Sequence, residues 1–116
     1  MKKNIVKDKS FDFAIRIVKL YQYLTTEKNE YVLSKQLLRS GTSVGAMVRE
    51  SEHAESKADF IHKLAIAQKE SNETLYWLEL LNRTDYLKVS EFESINNDVT
   101  EIIKLLTSII ITTKKG

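Results

Sequence analysis

Apolar positions recur every three or four residues along almost the whole chain, and four separate stretches of that pattern predict four helices. The spacing predicts the first helix over about 10–27. It opens at Ser10, an N-cap residue type, and carries Phe11, Ala14, Ile15 and Val18 with an adjoining stripe of Phe13, Ile17, Leu20 and Leu24. Polar, weak helix formers from Thr25 to Asn29 close it, and a connection that short returns the next helix antiparallel. The second helix, expected over 30–55, aligns Ser34, Leu37, Leu38, Gly41, Val44, Gly45 and Val48. Gly41 and Gly45 lie one turn apart among small residues, so close packing of another helix is expected there, with a local hinge as the alternative.

Ser56 and Asp59 fit a helix start, and Phe60, Leu64, Ala67, Ser71, Leu75 and Leu78 predict a third helix over 57–83. A second stripe of Ile61, Ala65, Tyr76, Trp77, Leu80 and Leu81 widens it beyond one core face. Ser90 with Glu93 reads as a capping box for the last helix, 90–113, whose stripe runs from Phe92 through Ile95, Val99, Ile102 and Leu106 to Ile110. Short connections between four such helices give an all-α, antiparallel up-down-up-down bundle forming one domain over 1–116. The leftover apolar stripes predict homo-oligomerisation.

Composition narrows the chemistry. No Cys and no Pro occur among the 116 residues. That removes disulfides, thiol catalysis and Cys-based metal sites, lets the helices run long, and leads us to expect a cytoplasmic protein with no membrane span. The net charge of +2 is small, but its placement is uneven: residues 10–113 carry 12 basic and 15 acidic side chains. The excess positive charge lies in two expected tails, 1–9 and 114–116. In an up-down-up-down bundle these tails meet at one end, which makes Lys2, Lys3, Lys7, Lys9, Lys114 and Lys115 the candidate contacts for RNA or DNA phosphates.

Catalytic chemistry finds little footing. Glu50-x-x-His53 and Asp59-x-x-His62 copy the spacing of di-iron bundles, yet both sit beside the turn between the second and third helices, and the other two helices offer no inward carboxylates. No phosphate-cradling or nucleophile motif is present. We therefore expect no enzyme activity, no metal and no cofactor. Arg49, Glu50, Lys57, Asp59 and Lys63 suggest an ion-pair network, and Arg49, Glu50 and Asp59 a candidate partner-docking surface. Trp77 beside Tyr76 reads as core or interface rather than base stacking.

Three segments carry a family resemblance: Gly41-Thr42-Ser43-Val44-Gly45-Ala46-Met47-Val48-Arg49-Glu50, Ala54 to Leu64, and Glu73-Thr74-Leu75-Tyr76-Trp77-Leu78-Glu79-Leu80-Leu81. They resemble the bacterial four-helix bundle proteins encoded in intervening sequences of large-subunit ribosomal RNA genes. The chain is also similar to the accessory variability determinant of diversity-generating retroelements, which works with a reverse transcriptase and binds nucleic acid. The resemblance implies a homopentameric barrel with a central channel, and a reverse transcriptase or other protein as a further partner. Gln36-Leu37-Leu38-Arg39-Ser40 occupies the family's Gln-Leu-x-Arg segment. Met47 stands where many relatives have Asn, and the body of this chain lacks their strongly basic character. The leading expectation is a non-enzymatic oligomeric accessory or adaptor that contacts nucleic acid; the alternative is a protein-binding scaffold.

Overall fold

The computed structural model describes residues 4–116. Four helices, α1 (Ile5–Thr26), α2 (Leu33–Ser51), α3 (Lys57–Arg83) and α4 (Val89–Lys115), account for nearly all of them, and there is no strand among the described residues. Cross-helix contacts fix the directions. Lys7 reaches Glu52 near the end of α2, while Ile17 lies against Gly41. Thr74 meets Ser40 and Lys63 meets Glu50; Gln68 meets Thr107 and Asn82 holds Leu87. Each helix thus runs antiparallel to the one before it, and Lys9–Glu101 and Arg16–Asp98 pair α1 antiparallel with α4. The result is a four-helix bundle 46 Å long.

The core takes one stripe from each helix. Phe13, Ile17 and Leu24 of α1 meet Leu37, Val44 and Val48 of α2, Leu64, Leu78 and Leu81 of α3, and Ile95, Val99, Ile102 and Leu106 of α4. Each large side chain removed from water contributes roughly 1.5–3 kcal/mol. On α1 the adjoining stripe of the sequence reading is the buried one, whereas Phe11, Ile15 and Val18 face outward. The neighbouring helices cover only part of its circumference.

Small residues set the spacing of α1, α2 and α3. A Cβ on Gly41 would stand 2.8 Å from the Ile17 side chain, and one on Gly45 would stand 3.1 Å from the Ser10 carbonyl oxygen. α2 passes through both glycines without a break, so they serve close packing and not a hinge. Ser10, Ser34, Ser40, Ser51, Ser71 and Thr74 are all buried. Their hydroxyls are satisfied locally, for instance Ser71 donating to the Ala67 carbonyl at 2.8 Å and Ser51 to that of Val48 at 2.6 Å. Compact polar side chains can be buried here because the helix backbone accepts their protons.

Helix ends differ from the sequence reading in instructive ways. α1 begins at Ile5, not Ser10: the Lys7 N–H donates to the Asn4 side chain at 3.1 Å, Val6 enters the core, and Ser10 is buried against α2. Residues from Ile5 on are therefore helix and not a tail. α2 begins at Leu33 and not at Glu30, because the Glu30 carboxylate lies across the helix start. It accepts from the N–H groups of Val32, Leu33 and Ser34 at 3.2, 2.8 and 2.7 Å. At α3 the Ser56 cap forms, accepting from the Asp59 N–H at 3.0 Å, and Asp59 reaches back to the Glu55 N–H at 3.2 Å. The Ser90/Glu93 box does not form. α4 starts at Val89 after an extended Lys88 with no side-chain cap, since burial of Leu87 and the Asn82 bond to its carbonyl at 3.0 Å fix the entry. Asn29 and Asp85 take the left-handed conformation in the two turns they occupy, a geometry such residues tolerate.

Candidate functional site

The six candidate lysines fall into three situations. Lys2 and Lys3 lie outside the described residues. Lys7 and Lys9 stand on the first two turns of α1 and are ion-paired across the bundle, Lys7 with Glu52 at 3.0 Å and Lys9 with Glu101. The Glu101 carboxylate holds the Lys9 ammonium above its ordinary value, first through the hydrogen bond and then through charge. These two cations are drawn into rim contacts. Lys114 and Lys115 lie in the last turn of α4, not in a tail beyond 113, and have no acidic partner among the described residues. There they also complement the negative end of the helix dipole.

Arg49, Glu50 and Asp59 come to the end of the bundle where α2 turns into α3, but each is engaged separately. The Arg49 guanidinium lies over the Phe11 ring, 5.3 Å from its centre. Glu50 accepts from Lys63 at 3.4 Å, and Asp59 is held in the α3 cap. The expected network is thus reduced to one ion pair, because Arg49 leans away toward α1. His53 lies in the turn after α2, and His62 is exposed on α3. Among the described residues no three His, Cys, Asp or Glu side chains converge on one point.

Two polar arrangements escape sequence reasoning. Arg39 spans Glu70, at 3.1 Å, and Glu73 on α3; Glu73 also accepts from the Trp77 indole N–H at 3.3 Å. The Arg39 hydrogen bond holds the Glu73 carboxyl below the usual carboxylate range. Beneath this pair, Thr74 donates to the buried Ser40 hydroxyl at 3.0 Å. Arg16 of α1 binds Asp98 and Ser94 of α4, each at 2.7 Å. The i,i+3 pair Glu70/Glu73 facing an Arg was the available signal. Its partner lies more than thirty residues away, which local spacing cannot register. Trp77 is half-buried against the core, with Tyr76 edge-on to it at 5.0 Å and itself exposed.

Chemically, the polar side chains cap helices, tie them together or meet solvent, and the features left for a partner are surfaces. Those are the paired lysines ending α4 and the apolar ridge of α1. The molecule is in this sense a small antiparallel helical bundle that presents faces. The family profile described as 23S rRNA-intervening sequence protein matches residues 2–108, and the chain belongs to that family. It is also similar to a crystal structure of a protein of unknown function from the S23 ribosomal protein family of Bacteroides thetaiotaomicron VPI-5482. The two are 66% identical, with 90% of this chain and 97% of the other covered and a TM-score of 0.90. No curated protein matches. No helix among the described residues is long and apolar enough to cross a membrane.

Proposed function

We propose that this protein is a non-enzymatic, cytoplasmic accessory protein that assembles into a homopentameric barrel and contacts structured RNA at the end of the barrel where α4 terminates. The observation that carries the nucleic-acid part is the Lys114–Lys115 pair, projecting from the last helical turn with no acidic partner among the described residues, at the bundle end where α1 begins. Cyclic assembly would repeat that cluster around an axis and add the Lys2 and Lys3 charges of each copy to it. Such a ring binds phosphates with little sequence preference and steep salt dependence. The family's association with 23S rRNA intervening sequences makes structured RNA the first ligand to try. Neutralised lysines Lys7 and Lys9 play a lesser part than the α4 pair, since each already has a carboxylate partner.

Electrophoretic shift with structured RNA at two salt concentrations tests the reading. A salt-sensitive shift is expected, and Lys114→Ala with Lys115→Ala should flatten its log–log salt slope by about 1–2, at roughly 0.7–0.9 per phosphate contact. No shift at low salt would sink it. In that case the scaffold reading gains, supported by the exposed Phe11, Ile15 and Val18 ridge, a surface suited to a protein partner.

A further inference from the structure

Two faces on opposite sides of the bundle are complementary in shape and charge. On α1, Phe11, Ile15 and Val18 follow at spacings of four and three, and Phe11 is 50% exposed. Asp8 lies two turns before Ile15 on the same face, with no cationic partner among the described residues. On α4, Ile103, Thr107 and Ile111 recur every four residues along a shallow concave strip of about 410 Å³ that Lys104 also lines. Ile111 is 49% exposed, and Lys104 has no acidic partner among the described residues. Phe11 stands beside Arg49 of α2, whereas Thr107 stands beside Gln68 of α3. The first face therefore belongs to the α1–α2 side and the second to the α3–α4 side.

We propose that the α1 ridge of one copy docks into the α4 strip of the next, with Asp8 meeting Lys104 at the rim. The inference rests on the homo-oligomer reading above and supplies its contact. Three observations favour a second copy as the occupant. Both faces have apolar ridges with a four-residue repeat, the geometry that interdigitates between helices. Their unpaired charges are opposite. Finally, Lys9 and Glu101 pair across α1 and α4, so Asp8 and Lys104 lie at nearly equal heights, within about 5 Å by the helical rise. A rotation about an axis along the bundle preserves height and would bring them together. Because the two faces differ, the contact is head-to-tail and closes into a ring.

Light scattering on the full chain without RNA reads the contact directly. The wild type is expected above monomer mass. Ile15→Asp, at an exposed position, should give a monomer of unchanged helicity by circular dichroism. Asp8→Lys and Lys104→Glu should each raise the dissociation midpoint by about tenfold, and the double variant should restore it, since reversing both charges recreates the pair. A monomeric wild type would overturn the assembly reading altogether. An oligomeric wild type whose mass survives both Ile15→Asp and Lys104→Glu would overturn this contact alone, and so would a double variant as weak as its parents. None of these outcomes depends on whether RNA binds.

Discussion

The seams on either side of α2 and the seam between α1 and α4 are built on opposite principles. Along α2, Gly41, Gly45 and Ser40 bring neighbouring backbones close, and the Ser40–Thr74 hydrogen bond lies buried at the contact. Between α1 and α4 the residues are large. Arg16, Leu20 and Tyr23 face Leu87, Glu91 and Ile95 across a groove of about 290 Å³, and Lys9–Glu101 and Arg16–Asp98 bridge it at the surface. Side-chain size decides the difference. Small residues leave nothing to hold helices apart, while long ones fill part of the gap and let their charged ends cross the rest.

Breaking the tight seam should have the largest effect. Gly41→Val places new atoms against a fully buried Ile17, and overpacking of this kind costs about 1–3 kcal/mol, which thermal unfolding would read as a lower Tm. A melting point equal to that of the wild type would show that the seam yields.

Glu30 sharpens the comparison by testing how firmly the start of α2 is fixed. Burial alone would raise its pKa, but the hydrogen bonds from Leu33, Ser34 and Val32 outweigh this and lower it below the ordinary 4.5. The charged form is thus favoured by folding. Its contribution is full above the ordinary value and is lost as pH falls through the lowered one. Glu30→Gln should reduce stability by about 1 kcal/mol at neutral pH. The gap between the variant and the wild type should close below pH 4, as urea titrations across that range would reveal.

The smallest effect is expected at the loose seam. Arg16→Ala removes an exposed pair and should lower stability by no more than about 1 kcal/mol, less at high salt. A loss comparable to that at Gly41 would erase the contrast between the seams.

Periodicity made the helices legible, together with their order and the tight packing at Gly41 and Gly45. Local pattern could not choose between the two stripes of α1, since Phe11 and Phe13 are equally apolar and only the neighbours' placement buries one. Ser10 and Glu30 misled for a related reason. Ser suits a cap, yet at position 10 its smallness against Gly45 decides its place, while Glu30 acts as a cap although it reads as the first helical residue. Of the candidate site, the charge of Lys7 and Lys9 was plain, but their pairing with Glu52 and Glu101 joins distant parts of the chain. Arg49 was drawn off by the Phe11 ring, a contact that charge patterning does not anticipate.

The looseness between α1 and α4 also bears on the order in which the chain organises itself. Every other seam joins consecutive helices through a short turn, whereas Arg16 and Lys9 find partners 78 to 92 residues away. Closing a long loop carries the greater entropic penalty, and here few close contacts offset it. Three successive hairpins can therefore bury most of the core before the first and last helices meet, which makes their union the closing step of folding rather than its nucleus.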